Sequence, residues 1–303
     1  MRILSYESLW TGRKKGFFLT ITANLIWGTT FVATGAGLRY INPYNLVFLR
    51  FATASLFIVA IAIVTRRMTL IAKDLRCASI WLLGGIYALG FVFQYVGQDF
   101  TNASDATLLA NLAPTLVPLI AFMILKDSIG NVQKAATALG LAGLILIAAP
   151  KLSLGSGTVI GDLLLFGTSA CYAVFMVLSK RYAAVSSVSA FAIMVSVGIF
   201  LAPVAIFLGG LNHTNLNIGL IGWSSVLYLG VPGSVIAVAL YLKGLGSITA
   251  SQSATLLLVQ LLTGLFLAIL ILHEFPTPFE IAGAISTFAA VALSSVGIRG
   301  KDR

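Results

Sequence analysis

Apolar residues run through this chain in long unbroken stretches, with polar and charged residues gathered in short segments between them. A helix that crosses a bilayer needs about 20 mainly apolar residues. Ten stretches meet that length, near 17–37, 44–64, 79–98, 104–125, 134–150, 161–180, 188–208, 220–242, 248–272 and 279–298. None alternates with a period of two, and the strands of a membrane barrel would be about half as long. The pattern therefore predicts an all-α integral membrane protein with ten transmembrane helices.

One stretch occurs twice. Ala103 to Asp127, ASDATLLANLAPTLVPLIAFMILKD, returns 147 positions later as Ala250 to Glu274, ASQSATLLLVQLLTGLFLAILILHE. Both open with Ala-Ser and close on an acid, and Leu109/Leu256, Ala121/Ala268, Ile124/Ile271 and Leu125/Leu272 coincide. The flanks keep register, with Gln94-Tyr95-Val96-Gly97 opposite Tyr241-Leu242-Lys243-Gly244, and Ala135 and Ala142 opposite Ala282 and Ala289. At an offset of 145, Gly16 meets Gly161, Leu19 meets Leu164 and Trp27 meets Tyr172. The chain reads as two copies of one five-helix unit, residues 1–150 and 151–303, joined at the Gly/Ser-rich segment KLSLGSGTVI (Lys151 to Ile160).

Composition excludes a water-soluble fold. Of 303 residues, 59% are hydrophobic and 9% charged, against roughly 25% charged in a soluble domain. The net charge of +10 does not make a nucleic-acid surface, because the cations lie between spans and form no single patch. Arg13-Lys14-Lys15 precedes an apolar run too long for a signal peptide, and no small-residue cleavage site ends it. With the N-terminus in the cytoplasm, 16 of the 19 Lys and Arg residues fall on the inner side; Arg39 and Lys151 fall outside and Arg50 within a span. The positive-inside rule then places both termini in the cytoplasm. An odd number of helices per copy makes the second copy inverted. The charges agree: Asp99 and Asp105 lie outside while their counterpart loop carries Lys243 inside, and Lys126 and Lys134 lie inside while theirs carries His273, Glu274 and Glu280 outside. Inverted repeats are a frequent architecture of secondary transporters, with the binding site near the midplane.

These residues resemble the EamA-type family of the drug/metabolite transporter superfamily. NLIWGTTFVA (Asn24 to Ala33) is similar to its Trp-Gly-x-x-Phe start, and Arg50 in NLVFLRF to an arginine in its second helix. Ala103-Ser104, Leu108-Leu109, Pro114 and an acid at 127 are similar to its fourth-helix pattern. The second half departs more: Leu261 stands where the family often has proline, while Glu274 keeps the closing acid. The resemblance covers roughly 16–297. It implies a bacterial inner-membrane carrier, commonly an exporter of small metabolites such as amino acids, or of drugs.

Polar groups at membrane depth are costly and often mark a pathway. Arg50 either snorkels to the near surface, caps a neighbour's carbonyls, or meets a substrate carboxylate. In the fourth span Ser104, Thr107, Asn111, Pro114 and Pro118 follow at spacings of 3, 4, 3 and 4 and share one face. Its prolines free carbonyls one turn back, which suits either a protein-lined cavity or a simple kink. Thr20, Asn24, Trp27, Thr30 or Phe31, and Thr34 share a face of the first span, Tyr87, Phe91, Gln94 and Gln98 of the third, and Thr168, Tyr172, Phe175 and Ser179 of the sixth. Tyr228, Pro232 and Tyr241 add groups in the eighth, and Gln260 is polar near the middle of the ninth. Aromatics mixed with uncharged hydrogen-bonding groups suit an amphipathic or zwitterionic small molecule, and suit helix packing equally. The cavity-lining candidates are Asn24, Trp27, Thr30, Arg50, Tyr87, Gln94, Thr107, Asn111, Pro114, Tyr172, Phe175, Tyr228 and Gln260.

Small residues four apart in the fifth span (Ala136/Gly140, Leu139/Gly143) and tenth (Ala282/Ser286, Gly283/Thr287) allow close helix contact, as scaffold or as a homodimer surface. No metal or cofactor site is expected: Cys77 and Cys171 are far apart, and His213 and His273 have no ligand or triad pattern. A Walker motif is absent, so no ATP hydrolysis is expected of this chain. The expectation is a secondary carrier working by alternating access on a small-molecule substrate within the lipid bilayer. A flippase for lipid-linked headgroups is the alternative on the same fold.

Overall fold

The computed structural model describes residues 6–126, 129–148, 156–182, 187–214, 216–248 and 250–299. Asp127, the first half of the junction at Lys151 to Ile160, and the cations Arg2, Lys301 and Arg303 lie outside the described residues. The described residues form helices: α1 (Tyr6–Leu38), α2 (Pro43–Val64), α3 (Met68–Asp74), α4 (Ala78–Phe100), α5 (Ala103–Ala110), α6 (Ala113–Leu125), α7 (Asn131–Ala148), α8 (Ser156–Arg181), α9 (Ser187–Phe207), α10 (Gly219–Gly230), α11 (Ala237–Leu245), α12 (Ala250–Leu272) and α13 (Pro278–Arg299). There is no strand among the described residues. Among the described residues, eight segments are long and apolar enough to cross a membrane, with α5–α6 and α10–α11 each counting as one. In α12 and α13, which are 23 and 22 residues long, the described side chains include the apolar stretches Leu256–Leu272 and Pro278–Leu293. This is a multi-pass membrane protein.

The two composite spans break for local reasons. In the first, α5 ends at Asn111, whose side-chain amide donates to the Thr107 carbonyl at 2.7 Å. Pro114, in the first turn of α6, has no N–H to continue the ladder. In the second, Val231–Ile236, VPGSVI, winds as one wider π-turn around Pro232. Ser234 answers the altered ladder by donating its hydroxyl to the Leu229 carbonyl, five residues back, at 2.9 Å. Such turns cluster at functional sites.

Glycine sets the closest helix crossings. A Cβ added at Gly97 would stand 2.9 Å from the Gly161 carbonyl oxygen, and one at Gly161 would stand 2.7 Å from that of Gly97, so α4 and α8 meet backbone to backbone. Gly16 and Gly244 bring α1 onto α11 in the same way, at 3.0 and 2.9 Å. These are the glycines that the sequence register pairs, 16 with 161 and 97 with 244. The small residues of α7 and α13 pack against each other. The Gly143 position faces Thr287 and Gly283, and Ser286 donates to the Leu139 carbonyl at 2.7 Å.

The end of the bundle where α4 leads into α5 is tied by polar contacts. Asn102 and Asp105 cap α5: Asn102 Oδ1 accepts from the Asp105 backbone N–H at 2.7 Å and its amide donates back to the Asp105 carboxylate at 2.9 Å. Glu274, just beyond α12, accepts from the backbone N–H groups of Ala103 and Ser104 at 3.1 and 2.9 Å and from the Ser104 hydroxyl at 3.0 Å. A carboxylate there also meets the positive end of the α5 dipole. Nearby, the Gln98 amide donates to the Phe31 carbonyl at 2.6 Å and joins α4 to α1.

Candidate functional site

Between these helices lies a cavity of about 300 Å³. Trp27, Thr30 and Phe31 line it from α1, Arg50 and Phe51 from α2, and Tyr87, Phe91 and Gln94 from α4. The α5–α6 break contributes Ala110, Asn111, Ala113 and Pro114; α8 contributes Tyr172, Phe175 and Met176; and Met194 comes from α9. Gly233, Ser234, Val238 and Tyr241 come from the π-turn and α11, and Leu257 and Gln260 from α12. Both broken spans place their breaks on this cavity. Backbone leaves the helical ladder there because the lining can hydrogen-bond it away from lipid.

Arg50 is the only charged residue in the lining among the described residues. It is 4% exposed, too deep to snorkel. Its donors go to hydroxyls and not to carbonyls: Nε–H to Ser234 Oγ at 2.9 Å and Nη1 to Tyr95 Oη at 3.1 Å. The guanidinium carbon lies 4.7 Å from the Phe91 ring centre and 5.4 Å from that of Phe51, within cation–π range. No carboxylate among the described residues pairs with it.

An aromatic wall adjoins the arginine. Tyr87 and Phe175 stack at 4.6 Å and 18°, and Phe91 meets Tyr87 and Tyr172 edge-on at 4.8 and 5.5 Å. Tyr172 donates its hydroxyl to Gln94 Oε1 at 2.7 Å, fixing both side chains. On α1, Trp27 packs at 5.0 Å on Tyr241 and donates its indole N–H to the Gly233 carbonyl at 3.1 Å. The sequence register sets Trp27 opposite Tyr172 and Tyr241 opposite Gln94, so the two contacts occupy corresponding positions.

Of the candidates named from sequence, Trp27, Thr30, Arg50, Tyr87, Gln94, Asn111, Pro114, Tyr172, Phe175 and Gln260 come together around this cavity. Three lie elsewhere. Asn24 is fully buried in α1 and donates to the Thr20 carbonyl one turn back. Thr107 is fully buried where α5 crosses α12 at Gly264, donating to the Ala103 carbonyl. Tyr228 reaches sideways to the Thr29 hydroxyl. The partners of Arg50, Ser234 and Tyr95, were not singled out for the site. Ser234 had a signal in the Val-Pro-Gly-Ser interruption of an apolar span; Tyr95 had none, since its hydroxyl is assigned only by the position of Arg50.

The EamA-like transporter family model matches residues 14–149 and again 159–296. An uncharacterized transporter of Archaeoglobus fulgidus is 29% identical over 292 residues, covering 93% of this chain and 97% of its own. The uncharacterized transporter YdfC of Bacillus subtilis is 25% identical over 302 residues, covering 96% and 95%. A protein of known crystal structure superposes with a TM-score of 0.64 over 94% of this chain and 98% of its own, at 19% identity, a likeness of fold alone.

Proposed function

This chain belongs to the EamA-like transporter family, and from that membership we propose that it is a secondary carrier that exports a small amphipathic metabolite by alternating access. It is a membrane transporter and not an enzyme. The observation that carries the proposal is the cavity itself. It is polar and aromatic, sits inside an apolar bundle, and is lined from both family-matched segments by residues of two interrupted spans. Such a cavity needs a polar occupant, because lipid leaves its amides and guanidinium unsatisfied.

The finer reading has ten spans in two inverted halves, 1–150 and 151–303, with both termini in the cytoplasm of a bacterial inner membrane. The paired glycine crossings 97/161 and 16/244, and the corresponding contacts of Trp27 and Tyr172, support it. Rocking of one half against the other would expose the cavity to each side in turn. In this reading Asn111, Gln94, Gln260, Trp27 and Tyr172 contact the solute. A homodimer would use the outward apolar face of the α7–α13 pair, where Ile145 and Ile285 are 63% and 65% exposed, since the small residues already hold these two helices together.

The test is counterflow in proteoliposomes with a mixed pool of labelled amino acids and nucleosides, with and without a pH gradient. Saturable exchange of one class, reduced about five- to tenfold in Asn111→Ala, is expected; a hydrogen bond of about 1–1.4 kcal/mol is worth that much. Movement of lipid-linked headgroups without exchange of any solute would replace the carrier with a flippase.

A further inference from the structure

We propose that Arg50 is a carboxylate receptor, and that the solute carried is a monoanion with a flat apolar body. The proposal rests on the reading of the cavity as the transport site and deepens it.

The first argument is the state of the guanidinium. Arginine presents five N–H donors in a rigid fork and stays charged at any relevant pH. Two of these donors are held, by Ser234 and Tyr95. Both partners are neutral hydroxyls, and each holds the fork in place without cancelling its charge. The remaining donors make no hydrogen bond to the described residues, and the cavity lining contains neither Asp nor Glu. A buried cation without a counter-ion is expensive. The two flanking rings offset part of that cost and leave the hydrogen bonds unmade. A structural arginine in a membrane bundle would cap backbone carbonyls or reach the surface, and this one does neither. A visiting carboxylate supplies both the charge and the paired acceptors that the fork fits.

The second argument fixes the charge and shape. A single cation neutralises a monoanion and leaves a phosphate dianion with a net charge in low dielectric, so a carboxylate is favoured over a phosphate. The volume of about 300 Å³ is at the lower end for ligand sites. Next to Arg50 stand the stacked rings of Tyr87 and Phe175, with Phe91 and Tyr172 at their edges. A planar apolar group fits against this wall while its carboxylate reaches the guanidinium. The Gln94 amide N–H groups, Asn111 Oδ1 and the Gln260 amide remain for polar substituents.

Purified protein would be titrated with phenylacetate, 3-phenylpropionate, phenylacetamide and phenyl phosphate, reading binding from the melting temperature in detergent and carriage from counterflow. Phenylacetate and 3-phenylpropionate are expected to raise the melting temperature saturably, and the amide and the phosphate to bind at least tenfold more weakly. Arg50→Gln should weaken carboxylate binding about ten- to hundredfold, the worth of a charged hydrogen-bonded pair, and so remove most of the preference for the acid over the amide. Arg50→Lys should keep the preference for acids at reduced affinity, which holds the test open if Arg50→Gln does not fold. Equal binding of acid and amide overturns the proposal, as do tighter binding of the phosphate, no binding of either carboxylate, and an acid preference that survives in a well-folded Arg50→Gln. Carboxylate binding without counterflow would leave Arg50's role standing and remove the carrier. Counterflow of acid and amide alike would do the reverse.

Discussion

Single atoms decide what several positions of this chain can hold. Gly161 lies against the backbone carbonyl of Gly97, and a side chain there has nowhere to go but into α4. Gly161→Val should therefore destabilise the protein by about 1–3 kcal/mol, the range for overpacking a tight contact, and lower its melting temperature in detergent. Gly85 is the control. A Cβ there would meet only the Phe200 ring, at 3.5 Å, an ordinary contact. Gly85→Ala should be neutral or raise stability by up to about 1 kcal/mol, because alanine is the better helix former. If both substitutions had the same effect, the backbone contact of α4 and α8 would not be what limits position 161. Arg50 is the polar counterpart of this argument. Its surroundings are specified down to which hydroxyl meets which nitrogen, and it is the residue at which the cavity's chemistry concentrates.

At the scale of elements, α5 shows both what the sequence could say and where it stopped. The spacing put Ser104, Thr107, Asn111 and Pro114 on one face, and of these Asn111 and Pro114 line the cavity. A helical face is a straight line only while the helix is continuous. Here the helix breaks at Asn111, so the turn before the break faces α12 and takes Thr107 with it. Asn24 went astray for a related reason. A polar residue on a shared face can turn its donor back to the previous turn, as the Asn24 amide does to the Thr20 carbonyl, and pack away from the cavity. The apolar runs made the helices legible because bilayer thickness sets their length. The partners of Arg50 were not legible, because they lie 45 and 184 positions away and meet it only across helix interfaces. The repeat, by contrast, pointed to Ala103-Ser104 and to the acid at 274 without saying that they touch. Glu274→Ala should cost about 1–2 kcal/mol, as loss of a helix cap does. It should also raise hydrogen exchange at the Ala103 and Ser104 amides. Unchanged protection of those amides would mean that Glu274 does not hold α5.

For the whole molecule, the arrangement of helices makes a prediction that no single element does. With Cys77 and Cys171 replaced, cysteines at positions 27, 111 and 172 should react with a small water-soluble maleimide, and the carried solute should protect all three together. Cysteines at 24 and 107, buried outside the cavity, should stay unreactive. Independent protection of the three, or labelling at 107 equal to that at 111, would mean that α1, the α5–α6 break and α8 do not enclose one space. The contact of Glu274 with α5 also sets an order of manufacture. Ser104 and Glu274 are separated by 170 residues. At ribosomal speed α5 enters the membrane roughly 10 to 30 s before the carboxylate that holds it has been synthesised. In that interval α5 carries its Asn102/Asp105 cap but not its clasp. The wall bearing Asn111 is seated only when the penultimate helix has emerged, so the cavity is among the last parts of the protein to be completed.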